Sequence, residues 1–302
     1  MISVDALNSR YGSPGRIVFR VGHCGWPEVV LASRYGVAEV ALLGANVLSY
    51  RPTGHSPVLF RPAKRDYNRG EAFHGGIPVC WPQFGRVADP TLPQHGFARL
   101  MPFEVKGTQY SEEMSEVTLV LRDSDETRRL WPHAFEIEYT ITVSMKLNLK
   151  LVTVNAGDAP FAFSTGLHPY LKVRERDDTV LRGVADSSYV FAEDMSEHVQ
   201  IGDLAMTSST DHVFTLTSAP KHEFALLDPG LRRAIAVASA GNDRLVVWNP
   251  GAANVLPDFG SDDWRGFVCV EPVSDWPGMR TLAPGGRHEL LVAIQSTQEA
   301  LT

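Results

Sequence analysis

Apolar residues alternate with glutamate and threonine in Phe135-Glu136-Ile137-Glu138-Tyr139-Thr140-Ile141-Thr142-Val143, and this run indicates the fold class. Met145 to Val154 alternates in the same way, with leucines opposite lysines and an asparagine. A side-chain period of two residues is typical of antiparallel strands that bury one face. These two runs therefore predict half-buried strands.

Shorter runs of the same type recur along the chain, and turn residues such as Asn249-Pro250-Gly251 separate most of them. Helix signals are scarce. The best one covers Ser124 to Leu130, with Ser124 as a candidate N-cap and Trp131-Pro132 as the stop. A dozen or more strands with very little helix predict an all-β fold, a large antiparallel β-sandwich. Without a repeat or a linker, residues 1–302 are interpreted as a single domain. The shorter predicted strands are Arg16–Val21, Glu28–Leu31, Val37–Leu43, Val117–Leu121, His212–Thr217, Glu223–Leu227, Leu245–Trp248, Phe267–Val270 and Glu289–Ile294.

The composition narrows the functional classes. A net charge of −7 argues against broad binding to nucleic acid or to an anionic membrane, which would need a basic face. The three cysteines, Cys24, Cys80 and Cys269, form no CxxC spacing and are expected to be reduced thiols. The N-terminus does not resemble a signal peptide, and no apolar stretch approaches the ~20 residues of a membrane span. We therefore expect a cytoplasmic protein, and a monomer is the simplest expectation.

Two irregular stretches in the first third of the chain carry polar groups that a sandwich does not require. His74 to Gly85 holds two adjacent glycines and two prolines, and this composition indicates a loop. Gln94 to Arg99 places an amide, the imidazole of His95 and a guanidinium around Gly96. The fork of Arg99 suits hydroxyl pairs or a phosphate, although an ion pair with a carboxylate is an equally good interpretation.

Two further stretches lie later in the chain. His168 sits in Gly166-Leu167-His168-Pro169-Tyr170, where the chain bends out of a strand, and a hydrogen-bonded core histidine is the plainer interpretation. Glu271 shares one face of a strand with Phe267 and Cys269. Carboxylates are rarely buried unless they are paired or functional, so Glu271 is a candidate functional residue.

Several chemistries lack their usual signature. There is no HxH or HExxH spacing for a metal, no GxSxG elbow for serine hydrolysis, and no phosphate-binding glycine motif for a nucleotide. We therefore expect neither a metal nor a bound nucleotide. Histidine, glutamate and arginine together suit acid–base chemistry on a neutral or anionic small molecule.

These stretches, taken together, resemble the aldose 1-epimerase (mutarotase) superfamily, and in particular its hexose-6-phosphate branch. The matching segments follow the family order over roughly residues 60 to 275. They are Gly75-Gly76-Ile77-Pro78 with Trp81-Pro82, Gln94-His95-Gly96-Phe97-Ala98-Arg99, Asp125-Glu126-Thr127-Arg128 leading to Trp131-Pro132, Leu167-His168-Pro169-Tyr170, Val247-Trp248-Asn249-Pro250 and Phe267-Val268-Cys269-Val270-Glu271-Pro272.

The resemblance implies a galactose mutarotase-like supersandwich that exchanges sugar anomers without a cofactor. By position, His168 resembles the general acid of the family and Glu271 its general base. Gln94, His95 and Arg99 match the substrate-contact segment, and Asp211 resembles the aspartate that binds sugar hydroxyls. From reference pKa values of about 6.5 and 4.3, His168 would donate a proton and Glu271 would accept one, from opposite sides of the pyranose ring. His95 would help to hold or polarise the ring oxygen.

One position departs from the branch, which usually has arginine where this chain has His74. Histidine is only partly charged at neutral pH, so recognition of a 6-phosphate stays open. The basic residues just upstream could supply the charge or could simply form a solvated face. They are Arg61, Lys64, Arg65 and Arg69.

Three alternatives remain at this stage: a non-catalytic carbohydrate-binding sandwich, a mutarotase for unphosphorylated aldoses, and a metal-dependent sugar isomerase built as a small barrel. The aromatic side chains of Trp81, Phe84 and Trp248 could offer flat faces to a sugar or could equally belong to the core.

Overall fold

Antiparallel strands dominate the computed structural model, which describes residues 2–22, 25–62, 72–85, 92–206, 210–253, 256 and 258–298. In chain order the strands are β1 (Ile17–Val21), β2 (Pro27–Ser33), β3 (Gly36–Ala41), β4 (Val47–Pro52), β5 (Val79–Cys80), β6 (Glu104–Tyr110), β7 (Ser115–Arg122), β8 (Phe135–Val143), β9 (Leu147–Asn155), β10 (Phe161–Phe163), β11 (Thr165–Leu167), β12 (Tyr170–Lys172), β13 (Val180–Arg182), β14 (Ser188–Phe191), β15 (Glu197–Val199), β16 (Leu204–Ala205), β17 (Thr210–Thr215), β18 (His222–Asp228), β19 (Arg233–Ala240), β20 (Arg244–Asn249), β21 (Phe267–Ser274), β22 (Arg280–Leu282) and β23 (Arg287–Gln298).

The two long alternating runs pair with each other as β8 and β9, so that Phe135 faces Asn155 and Tyr139 faces Leu151. Along β8 every second side chain is buried, as the alternation predicts. This hairpin lies within a nine-stranded sheet with the order β16-β13-β18-β19-β23-β9-β8-β7-β6.

A second large sheet has the order β15-β14-β17-β20-β21-β11-β5, and β12 also pairs with β21. Its strand β21 is buried along its whole length, so it is covered on both faces. Val268 and Val270 on one face belong to the same apolar cluster as Ile137 and Tyr139 of the nine-stranded sheet. The two sheets therefore form a sandwich around one core, which confirms the predicted all-β class. The opposite face of β21 carries Glu271.

Two smaller sheets complete the strand structure, a four-stranded one (β1-β2-β3-β4) and a two-stranded one (β10-β22). The short strands between Phe161 and Ala205 lack a long alternating run and were not predicted. The single-domain interpretation of residues 1–302 stays a prediction.

Helix is limited, as predicted, to α1 (Val4–Tyr11) and α2 (Asp125–Leu130) and four 3₁₀ turns in the described part of the chain. The N-cap predicted at Ser124 is confirmed, since its hydroxyl accepts from the backbone of Thr127 in a capping box. The other helix, α1, was not predicted. Asn8 attaches it to β1 by hydrogen bonds to both backbone groups of Phe19. No helix in the described ranges is long and apolar enough to cross a membrane. The 3₁₀ turns are Ala98–Leu100, Arg176–Asp178, Pro229–Leu231 and Asp263–Gly266.

Candidate active site

The candidate site lies on the second large sheet, which has eight strands, on the face that is turned away from the core. Register places Asp211, Trp248 and Cys269 side by side on β17, β20 and β21, and Tyr170 on β12 continues the row. Because side chains two apart on a strand share a face, Glu271 projects beside Cys269 on this side of the sheet. Strand pairing alone thus gathers a polar row from four strands.

His168 reaches this row from the end of β11. Its backbone N–H donates to the carbonyl of Pro78, and its ring stacks on that of Tyr170 with 4.7 Å between centroids. Trp248 meets the imidazole edge-on at 5.8 Å. These contacts leave Nε2 of His168 only 3.4 Å from Oε2 of Glu271. The two predicted catalytic residues therefore face each other directly.

Burial governs the protonation of both groups. The pKa of His168 is lowered to about 3, first by burial and then by the positive charges of Arg99 and His74. The pKa of Glu271 is raised well above its ordinary value, first by burial and then by the negative charge of Asp211. Each group thus favours its neutral form, so reference pKa values do not describe this pair.

The geometry also differs from the expected placement of the two side chains on opposite sides of a sugar ring. At 3.4 Å they lie side by side, because His168 follows β11 and Glu271 lies on the neighbouring strand β21. Two groups so close can address two oxygens on the same carbon atom.

Glycine sets the position of Phe84 beside the pair. A Cβ added to Gly166 would lie 2.8 Å from Cδ2 of Phe84 and 3.0 Å from Cγ2 of Val273. The missing side chain lets the Phe84 ring pack onto β11. That ring in turn contacts His95 edge-on at 5.0 Å.

The segment from Gln94 to Arg99 brings a second imidazole to the site. His95 has a positive φ of 61°, and its ring centroid lies 5.5 Å from that of His168. Burial and the charge of Arg99 lower the pKa of His95 well below its usual value. Its Nδ1 accepts from the backbone N–H of Gly85 at 3.2 Å. The neutral ring must then carry its proton on Nε2, which makes that atom a hydrogen-bond donor.

Arg99 and Gln94 lie in the same turn. One guanidinium nitrogen of Arg99 donates to the carbonyl of Gln94 at 2.7 Å, whereas its Nε has no partner among the described residues. The Gln94 side chain is exposed, and its Nε2 lies 3.4 Å from Nε2 of His95. Both residues thus keep hydrogen-bonding capacity for a ligand.

Asp211 stands near the other end of the polar row. Burial, together with the negative charge of Glu193, raises its pKa to about 6. Asp211 therefore titrates close to neutral pH, and as an anion it can accept hydrogen bonds from hydroxyl groups.

His74 has a partner that sequence reasoning missed. Its Nδ1 lies 2.8 Å from Oδ1 of Asp258, and its backbone N–H donates to Oδ2 of the same carboxylate at 3.1 Å. Burial would raise the pKa of Asp258, but the hydrogen bond and charge of His74 outweigh it and lower the pKa. No local pattern distinguishes Asp258 from an ordinary turn aspartate, since its partner is 184 positions upstream.

The basic residues upstream of His74 add little to the described site. Arg61 is engaged with Glu39 at 3.0 Å. Lys64, Arg65 and Arg69 lie outside the described residues.

The three aromatic candidates have different fates. Trp81 is fully buried and packs against Phe97, Trp131 and Phe135, so it is a core residue. Phe84 is buried beside β11, as described above. Trp248 is half-buried at the edge of His168 and keeps part of its surface open.

One group of three metal-ligating side chains occurs in the described ranges, and it lies at this same site. Ligand atoms of His168, Cys269 and Glu271 lie within 4.8 Å of one another.

The site thus contains a buried imidazole–carboxylate pair on one face of a large antiparallel sandwich. Comparison with known proteins gives the family: residues 27–295 match the model of the aldose 1-epimerase family. The chain belongs to this family, and it is an isomerase that interconverts sugar anomers.

Two relatives illustrate the similarity in sequence. A protein of Escherichia coli K12 named "Putative glucose-6-phosphate 1-epimerase" is 32% identical over 237 residues, which is 78% of each chain. A protein of Cenchrus ciliaris with the same name is 29% identical over 286 residues, covering 90% of this chain and 85% of its own.

Solved structures show the same fold. A structure named "putative mutarotase (YeaD)" from Salmonella typhimurium superposes with a TM-score of 0.88 at 28% identity, over 96% of both chains. The galactose 1-epimerase of Lactobacillus acidophilus superposes with a TM-score of 0.72 at 16% identity, over 94% of this chain and 99% of its own. The second likeness concerns the fold alone. The predicted galactose mutarotase-like sandwich is thus confirmed, and a small barrel is excluded.

Proposed function

We propose that this isomerase exchanges the α and β anomers of a hexose 6-phosphate, glucose 6-phosphate first, with His168 and Glu271 as its acid–base pair. The observation that carries the proposal is the 3.4 Å approach of His168 Nε2 to Glu271 Oε2. A mutarotase needs one proton donor and one proton acceptor at the same sugar carbon, and this pair provides both.

The reaction follows from the proton balance. His168 Nε2 gives a proton to the ring oxygen while Glu271 takes the proton of the C1 hydroxyl, so the bond between C1 and the ring oxygen breaks and an aldehyde forms. Rotation about the C1–C2 bond then presents the other face of the aldehyde. The C5 hydroxyl attacks that face and returns its proton to His168, and Glu271 reprotonates the new C1 oxygen. Each side chain ends as it began.

The side-by-side placement suits this step. The ring oxygen and the C1 hydroxyl oxygen are bonded to the same carbon, so the two catalytic groups must stand close together. In this proposal the pair carries one proton, which can start on either residue, since imidazolium with carboxylate and imidazole with carboxylic acid carry the same total charge. Contacts with the sugar would replace part of the lost solvation and so favour the form with imidazolium and carboxylate.

The surrounding residues hold the sugar in this proposal. The Nε2–H of His95 donates to the ring oxygen, and the Asp211 carboxylate accepts from hydroxyl groups. Gln94 and the unpartnered Nε of Arg99 supply further donors. Polar groups of this kind at the rim of an apolar site fix the orientation of a ligand.

Recognition of the 6-phosphate is proposed on two grounds. Arg99 carries a permanent charge and has an unused donor at Nε. The names of both relatives described above include glucose 6-phosphate as the substrate.

A second candidate substrate is an unphosphorylated aldose. It is favoured by the carboxylate of Asp258, which lies 2.8 Å from the His74 ring and neutralises charge where a phosphate would need it. The same pair of catalytic residues would serve either sugar.

One paired assay separates the two substrates. Freshly dissolved α-glucose 6-phosphate and α-glucose are followed by polarimetry with and without the protein, and the spontaneous rate is subtracted. Acceleration of the phosphorylated sugar at tenfold or more over glucose supports the 6-phosphate proposal. Equal acceleration favours the aldose, and acceleration of neither contradicts both.

The remaining expectations belong to the same proposal. We infer that the enzyme acts in the cytoplasm as a single-domain monomer without a nucleic-acid partner. Size-exclusion chromatography with light scattering tests the monomer, and an elution mass twice that of the chain would contradict it.

A further inference from the structure

The sheet geometry that creates the catalytic pair also places a thiol beside it. Cys269 and Glu271 are two residues apart on β21 and share a face, and His168 ends the neighbouring strand β11. Ligand atoms of the three side chains lie within 4.8 Å of one another, and all three residues are buried. Strand register holds this arrangement in place.

The spacing approaches that of a metal site. Zinc binds thiolate sulfur at roughly 2.3 Å and imidazole nitrogen or carboxylate oxygen at roughly 2.0–2.2 Å, so tetrahedral ligand atoms stand roughly 3.3–3.6 Å apart. The 3.4 Å between His168 Nε2 and Glu271 Oε2 already has this value. The Cys269 sulfur lies within 4.8 Å of ligand atoms of both residues and would move closer on binding a metal ion.

The unsatisfied groups of the cluster favour a cation. Oε2 of Glu271 is buried and has no hydrogen-bond partner in the described part of the chain, and Cys269 is a free thiol. A buried polar atom without a hydrogen bond is costly, and a bond to a metal ion would satisfy it. Three protein ligands would also leave a fourth coordination position for water.

The groups around the three ligands indicate that a metal ion would bind reversibly. Nδ1 of His168 is buried without a hydrogen-bond partner among the described residues. Resident zinc sites usually fix that second nitrogen with a carboxylate or a carbonyl, which strengthens the metal bond on the order of 10–100-fold. The occupancy of this site would therefore follow the concentration of the free metal ion. The thiolate would select soft ions such as Zn²⁺ or Co²⁺ over Mg²⁺.

We propose that His168, Cys269 and Glu271 form an inhibitory site for a thiophilic divalent cation such as Zn²⁺. The ion would bind the two catalytic groups and release the thiol proton, and so compete with the sugar for the pair. The inhibition rests on the proposed function of His168 and Glu271, whereas the binding does not.

The test uses Co²⁺ as a spectroscopic probe on the full-length protein after treatment with EDTA. We expect one equivalent of Co²⁺ to bind with a thiolate-to-metal charge-transfer band, Zn²⁺ to displace it, and Mg²⁺ to leave it unchanged. In the anomerisation assay Zn²⁺ should inhibit, EDTA should restore the rate, and added sugar should raise the Zn²⁺ concentration required.

Two matched cysteine variants separate the site from other thiols. Cys269→Ser should lose the charge-transfer band and need on the order of tenfold more Zn²⁺ for inhibition, measured against its own metal-free rate. Cys80→Ser, which alters another buried thiol of the same sheet, should retain both the band and the inhibition. Cys269→Ala provides the same test if the serine variant folds poorly.

Two results would overturn the metal site, and a third would overturn the proposed catalytic roles on which the inhibition rests. Absence of the band in the parent protein, or its survival in Cys269→Ser, overturns the metal site. A charge-transfer band that depends on Cys269, together with full anomerisation activity when Zn²⁺ is bound, supports the metal site and contradicts the catalytic roles of His168 and Glu271.

Discussion

Nδ1 of His74 lies 2.8 Å from Oδ1 of Asp258, so this imidazole is already bonded to a carboxylate, at the position where the family resemblance led us to expect arginine. An arginine there could bond Asp258 and still direct further N–H groups at a ligand, whereas the imidazole has one nitrogen left. Recognition of a phosphate at this position therefore depends on His74 and its partner Asp258.

His74→Arg should lower the KM for glucose 6-phosphate by about tenfold and leave the KM for glucose unchanged, because a guanidinium adds a permanent charge and a second donor. His74→Gln, a neutral control, should raise the KM for glucose 6-phosphate alone. Steady-state polarimetry with both sugars measures the effect. Identical KM values in all three proteins would show that the phosphate does not bind beside His74.

Asp211 should make sugar binding depend on pH. Its pKa of about 6 means that the carboxylate is ionised above that pH and gains a proton below it. Because a carboxylate accepts stronger hydrogen bonds than a carboxylic acid, KM should rise as the pH falls through about 6. Measurement of KM between pH 5 and pH 8 checks this expectation.

Two variants complete the Asp211 test. Asp211→Asn should give a higher KM without the inflection near pH 6. Glu193→Gln should shift the inflection to lower pH, because the negative charge of Glu193 contributes to the raised pKa. An inflection that persists in Asp211→Asn would assign it to another group.

Gly166→Ala should destabilise the fold by about 1–3 kcal/mol, the usual cost of overpacking. The new methyl group would meet Cδ2 of Phe84 at 2.8 Å and would displace the ring that contacts His95. Turnover should fall as well. Urea unfolding and the anomerisation assay measure the two effects. Gly107→Ala, where a Cβ meets no atom within 4 Å, is the matched control and should change stability by less than about 0.5 kcal/mol.

Much of the β-sandwich could be predicted from the sequence, because its strands depend on short-range periodicity. The alternation in Phe135–Val143 predicted a half-buried strand, and Ser124 predicted a helix cap. The position of Glu271 in line with Cys269 predicted a carboxylate on a buried strand face. Each of these signals needs only a few neighbouring residues.

What the sequence left open depends on contacts between distant segments. Trp81 could belong to the core or to a sugar platform, and only its packing against Trp131 and Phe135 decides for the core. The short helix α1 buries only Leu7, so it lacks an apolar stripe to predict it. Reference pKa values failed for His168 and Glu271 because burial shifts both, and the depth of burial is not visible in a linear chain.

The most direct measurement of the central claim is anomer exchange by NMR in His168→Ala and Glu271→Gln, with circular dichroism to confirm that both variants are folded. Each acid–base partner typically contributes about 10²–10⁴-fold, so each variant should lose at least about 100-fold in turnover. Loss of both partners together should cost little more than loss of one, since the pair works as a unit. A folded variant of either residue with near-parental turnover would contradict the claim that this imidazole and this carboxylate carry the reaction.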